Sequence, residues 1–152
     1  MFEPKKILVA VDGSESSLNA ARAALTLAKK FDSVAYIAYV VQFPGYFGFS
    51  EPAMSKTVET VLEQYKHDAS IRSSKWLSEI ALEGTNQGVK VKTEILNGDS
   101  SVVNALNEFA TKNEIDLIVV GSRGQGGFKR LVLGSVSDGI VNHANCSVIV
   151  IR

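Results

Sequence analysis

A chain of 152 residues, 45% hydrophobic and 21% charged, has the size and composition of one ordinary globular domain, which excludes a disordered or fibrous protein. Its 16 basic residues balance 16 acidic ones, so there is no electrostatic case for non-specific binding to nucleic acid or to a membrane surface. The one cysteine, Cys146, excludes an intrachain disulfide and favours a reducing compartment.

The first apolar run, Lys6-Ile-Leu-Val-Ala-Val11, is too short for a signal-peptide core, and no stretch approaches membrane-spanning length. A cytoplasmic protein is expected. The run has no polar alternation, which suits a strand buried on both faces, and it ends at Asp12-Gly13-Ser14. Ser14 and Ser16 offer N-caps for a helix whose alanine-rich stripe runs from Leu18 to Phe31. Residues 33–41 are β-branched and aromatic and read as a second strand.

An aromatic loop follows, with Phe43, Tyr46, Phe47 and Phe49 among the breakers Pro44, Gly45 and Gly48. Its aromatics read equally as loop anchors and as a lid or partner contact. A long helix is predicted from about Pro52 to Glu83, with Val58, Val61, Leu62, Tyr65, Ala69, Trp76 and Ile80 inward and Gly84 and Gly88 as stop signals. Residues 89–96 alternate and carry lysines, as a protected edge strand does. Asn97-Gly98-Asp99-Ser100 reads as a turn, and Val102 to Lys112 as a third helix. Leu117-Ile-Val-Val120 is a fourth buried strand, Val136 to Ala144 a last helix, and Ser147 to Arg152 a fifth strand.

Strict alternation of strand and helix predicts an α/β domain spanning residues 1–152, a doubly wound, Rossmann-like sheet of five parallel strands with four helices. With the strand order 3-2-1-4-5 the switch point falls between strands one and four, and ligands bind at the carboxyl ends beside it. The two segments delivered there are Asp12-Gly13-Ser14 and Gly121-Ser122-Arg123-Gly124. The second belongs to a stretch with Gly121, Gly124, Gly126, Gly127 and Gly134, made positive by Arg123, Lys129 and Arg130. Close backbone approach and positive charge are what a phosphate site needs.

The stretch is not a Walker A loop, because no Gly-Lys-Ser/Thr closes it. Nor does it have the Gly-x-Gly-x-x-Gly spacing of the dinucleotide fingerprint. What it has is Gly121-x2-Gly124-x9-Gly134-Ser135, set within Gly-Ser-Arg-Gly and Leu-Gly-Ser-Val-Ser. This closely resembles the nucleotide-binding motif of the universal stress protein family in its ATP-binding branch. The resemblance extends over the whole chain, from Ile7-Leu-Val-Ala-Val-Asp-Gly-Ser14 to Ala144-Asn-Cys-Ser-Val-Ile-Val-Ile151. It departs in having Ser147 where the family commonly has proline.

The resemblance implies a fold like that of the adenine nucleotide alpha hydrolases, with ATP as the ligand. Gly121, Ser122, Arg123 and Gly124 would approach the ribose and phosphates, and Gly134, Ser135, Val136 and Ser137 would donate to the phosphates at a helix N-terminus. Ala10, Val11 and Asp12 would sit near adenine and ribose, and Val40 would meet adenine chiefly through its backbone. Magnesium or manganese would arrive with the nucleotide, since no carboxylate cluster is visible. Two structural readings stand beside these: Asp12 as a cap of the first helix, and Ser135 with Asp138 as a capping box. His67 and His143 read as surface or helix-end residues and Cys146 as a small core residue.

The expected function is regulatory: nucleotide occupancy acting through an unnamed protein partner, with no nucleic acid and no membrane involved. A homodimer through Ser147–Arg152 is expected, because an apolar edge strand calls for a partner and the resemblance implies one. No catalytic residue is assigned, so any ATPase should be slow. The rivals are an ATP-cleaving or adenylyl-transfer enzyme of the related α/β class and a nucleotide-free scaffold.

Overall fold

The computed structural model describes residues 1–42, 55–98, 101–123 and 133–152, with the side chains of 55–58 excepted. Its elements follow in the order β1 (Lys6–Ala10), α1 (Glu15–Phe31), β2 (Val34–Gln42), α2 (Ser55–Asn86), β3 (Lys90–Gly98), α3 (Val102–Lys112), β4 (Leu117–Gly121), α4 (Ser135–His143) and β5 (Ser147–Ile151). The aromatic loop, the predicted start of α2 at Pro52, Asp99 and Ser100, and Gly124, Gly126, Gly127, Lys129 and Arg130 lie outside the described residues.

The five strands form one sheet in the order β3-β2-β1-β4-β5, every pair parallel. This is the predicted doubly wound order. It arises because the runs of β1, β2 and β4 are too uniformly hydrophobic to leave a face in water, so helices must cover both sides. On one face Ile7, Val9, Ala35, Ile37, Leu117 and Val119 pack with the α1 alanines and with Leu77 and Ile80 of α2. On the other, Leu8, Tyr36, Ala38, Val40, Ile118 and Val120 pack with Leu106 and Ala110 of α3 and Ile140 of α4. Each fully buried leucine or isoleucine contributes about 1.5–3 kcal/mol relative to exposure.

Several boundaries differ from expectation for physical reasons. Ser14, one of the two expected N-caps, does cap α1, its side chain accepting from the Ser17 N–H, and the helix starts at Glu15. The apolar stripe marked the buried face, whereas the cap marks the true start. In α2 the expected inward residue Val61 is exposed; the buried line is Ala69, Ser73, Leu77, Ile80 and Gly84. Gly84 does not stop the helix, which continues to Asn86. A Cβ there would collide with Val91 and Leu25, so this glycine lets α2 lie close to α1 and β3. Gly88, with φ of +81°, reverses the chain after it.

The predicted turn at Asn97-Gly98 is instead the end of β3, paired with Val41 and Gln42 of β2. A Cβ on Gly98 would lie 2.8 Å from Val40 Cγ1 and 3.1 Å from the Val41 carbonyl oxygen, so the residue is glycine because strand packing leaves no room.

Candidate functional site

The switch point lies where β1 and β4 run side by side, Val9 opposite Val119. Beyond it the chain leaves each strand in a different direction. Val11 is buried and donates its N–H to the Ala38 carbonyl of β2 at 2.9 Å, holding the exit of β1 against the neighbouring strand. Asp12 is half-buried, and its Oδ1 accepts from the Ser14 N–H at 2.9 Å, a local turn that steers the chain into α1. Ser17 Oγ completes this corner, accepting from the Asp12 N–H at 3.2 Å and donating to the Ser14 carbonyl at 2.9 Å. This corrects the capping reading of Asp12. The helix cap itself is Ser14, and Asp12 shapes the turn before it.

Gly13 sits at this corner with φ of +84°, and a Cβ on it would stand 3.1 Å from Trp76 Nε1. Trp76 is held by α2 and meets Tyr39 of β2 edge-to-face, ring centroids 5.2 Å apart. Gly13→Ala is therefore expected to destabilise the protein by about 1–2 kcal/mol, from left-handed strain plus crowding of the indole. Thermal unfolding followed by Trp76 fluorescence checks this, and an unshifted melting temperature would refute it.

The exit of β4 is interlocked with the start of α1. A Cβ on Gly121 would lie 2.5 Å from Ser16 Oγ, 2.8 Å from the Ser16 carbonyl oxygen and 2.9 Å from its carbon. The Arg123 N–H then donates to Ser16 Oγ at 3.3 Å. Gly121 was expected to let backbone approach a ligand. What the geometry requires of it is room for the first turn of α1. Arg123 itself is exposed.

The chain returns at Gly134, whose N–H donates to the Ser122 carbonyl at 2.6 Å, while the Ser122 N–H donates to the Ile151 carbonyl at 2.7 Å. Gly134 is the N-cap of α4, with φ of −70°, ψ of 165° and no side-chain cap hydrogen bond. This corrects the capping-box reading. Ser135 is the first residue inside the helix, and its predecessor has no side chain to cap with. The first-turn N–H groups of Ser135, Val136 and Ser137 have no place in the helical ladder, and they carry the positive end of the dipole.

Ser137 spends its hydroxyl within the fold, while its N–H stays with the first-turn donors. It is buried, and its hydroxyl donates to the Gly134 carbonyl at 3.0 Å and lies 3.4 Å from that of Ser122. Val40 is buried in the second core, beside Gly98. The exit of β1 at Ala10 to Asp12, the end of β2 at Val40, the exit of β4 at Gly121 to Arg123 and the start of α4 at Gly134 to Val136 thus meet at the carboxyl edge of the sheet. Gly124 lies outside the described residues.

Sequence reading missed Ser16 and Ser17 as parts of the corner, and Trp76 as its backing. Ser16 was visible only as a possible cap, since nothing in the spacing shows which loop crosses it. Elsewhere, burial pushes the Cys146 thiol above its ordinary range, helped by the charge of Asp116, which makes it a poor nucleophile. His67 and His143 are exposed, the latter with Nδ1 2.9 Å from the Gly139 carbonyl. Among the described residues no group of three or more His, Cys, Asp or Glu is placed to hold a metal, and no helix is long and apolar enough to cross a membrane.

Comparison with known proteins agrees with this architecture. A universal stress protein of Methanocaldococcus jannaschii is 35% identical over 148 residues, covering 97% of this chain and 82% of its own. Among solved structures, the universal stress protein UspA of Lactobacillus plantarum superposes with a TM-score of 0.81 at 27% identity, covering 97% of each chain. A universal stress protein in complex with cAMP gives 0.71 at 24% identity, with 99% of each chain covered. One from Archaeoglobus fulgidus in complex with dAMP gives 0.67 at 21%, covering 99% of this chain and all of that one (100%). The family model for universal stress proteins matches residues 3–152, and with the corner, crevice and strand order above, the chain belongs to the universal stress protein family.

Proposed function

We propose that the protein binds ATP in the crevice between the exits of β1 and β4 and acts in the cytoplasm as a nucleotide-dependent regulator. The observation that carries this reading is the N-terminus of α4. It opens on a glycine without a side-chain cap, at the switch point, directly after the Gly121–Gly134 motif. The phosphates would meet the N–H groups of Ser135 and Val136 and the Arg123 guanidinium, which can pair with them bidentately. Asp12 and the backbone of Ala10, Val11 and Val40 would face ribose and adenine. Any divalent cation would travel with the nucleotide.

Two structural relatives carry cAMP and dAMP, adenine nucleotides with a single phosphate, and this favours a monophosphate as the second reading. A homodimer through Ser147–Arg152 fits the same picture, because β5 is an edge strand whose Val148, Ile149, Val150 and Ile151 are only partly covered within one chain. No residue is assigned as a general base, so turnover of ATP would be slow.

Mass spectrometry of the small molecules released on denaturation should identify an adenine nucleotide, and titration with ATP should show binding that Gly124→Val weakens. No released nucleotide, together with equally weak binding by both proteins, would sink the proposal. Rapid turnover would favour an enzyme, and AMP in place of ATP would favour the monophosphate reading.

A further inference from the structure

We infer that Ser137 is a positioning residue for the phosphate end of this site, acting as a clasp between Ser122 at the end of β4 and Gly134 at the start of α4; the inference rests on the nucleotide reading above. One hydroxyl reaches both Ser122 and Gly134. It donates to the Gly134 carbonyl at 3.0 Å and lies 3.4 Å from the Ser122 carbonyl, so its single proton serves both acceptors unequally.

The neighbouring bonds make the clasp tight. The Ser122 carbonyl also accepts from the Gly134 N–H at 2.6 Å, and the Gly134 carbonyl also accepts from the Asp138 N–H at 2.9 Å, the first rung of α4. Behind them the Ser122 N–H is tied to the Ile151 carbonyl of β5 at 2.7 Å. Ser137 and Ser122 are both buried, at 2% and 5% exposure, so water does not compete for these bonds. The hydroxyl thus fixes the root of α4 to the end of β4. The N–H groups of Ser135 and Val136 are aimed by that root, and electrostatic stabilisation of an anion depends on their aim. A serine pointing into the crevice would bind phosphate itself. This one is turned inward and acts through the backbone it holds.

The test compares ligands that differ only in their phosphates. Ser137→Ala should weaken ATP binding by about five- to tenfold, the worth of one neutral hydrogen bond, and leave adenosine binding unchanged. Amide exchange at Gly134 should quicken in the nucleotide-free variant, because its bond to Ser122 loses its brace. Ser137→Thr should restore both readouts, since a helical threonine can bond the carbonyl three residues back. Should the alanine variant not fold, Ser137→Cys, close in volume but a weaker donor, should show the same split.

Equal losses for ATP and adenosine would reveal general destabilisation and overturn the inference. So would unchanged ATP affinity with unchanged Gly134 exchange. A wild type that binds neither ATP nor AMP would sink the nucleotide reading and the positioning role with it, while the Gly134 exchange would still decide the clasp.

Discussion

Gly121→Ala is expected to destabilise the protein by about 1–3 kcal/mol, the usual cost of overpacking, which in a domain of this size lowers the melting temperature by roughly 2–12 °C. The added methyl group meets the Ser16 backbone as well as its hydroxyl, at 2.8 Å from the carbonyl oxygen and 2.9 Å from the carbon. A flexible side chain could swing aside, but the first turn of α1 cannot, because Ser14 and Ser17 hold it to the β1 corner. Combining the change with Ser16→Ala should therefore recover little stability. Calorimetry on the single and double variants checks both statements. Full recovery in the double variant would mean that the conflict lies with the hydroxyl alone.

Ser135→Glu should separate ligand binding from stability. Ser135 is exposed at the first position of α4, where a carboxylate is favoured by the helix dipole by about 0.3–1 kcal/mol. The melting temperature should hold or rise slightly. The same carboxylate would occupy the positive end proposed for the phosphates and would repel them, so ATP affinity should fall by at least about tenfold, or 1.4 kcal/mol. Adenosine should bind as before. Unchanged ATP affinity, measured by calorimetry at low salt, would place the phosphates elsewhere.

The strand order was legible because five apolar runs alternate with amphipathic stretches, and that pattern has few right-handed, doubly wound solutions. The crevice followed from the order. What the sequence did not disclose is which partner each small residue serves. Gly84 and Gly98 carry no signature that separates a stop signal from a close contact; the difference lies in Val91, Leu25 and Val40, which arrive from other parts of the chain. Ser135 and Ser137 look alike in the motif, yet one is exposed at the helix start and the other buried against Gly134. A two-residue step on a helix turns the side chain by about 200°, and only the placement of β4 decides which serine faces inward. Trp76 lies far from the motif in sequence and backs Gly13 only because α2 packs over the same sheet face as α1.

The central strand β1 has a consequence for cooperativity. It is bonded on both sides, to β2 and to β4, and it sends Ile7 and Val9 into one core and Leu8 into the other. Neither layer of helices can loosen without disturbing a strand on which the other layer also rests. The domain should then open as a single unit rather than in halves. Asp12 and Gly13, which continue from that strand, should therefore keep their places until the whole domain opens.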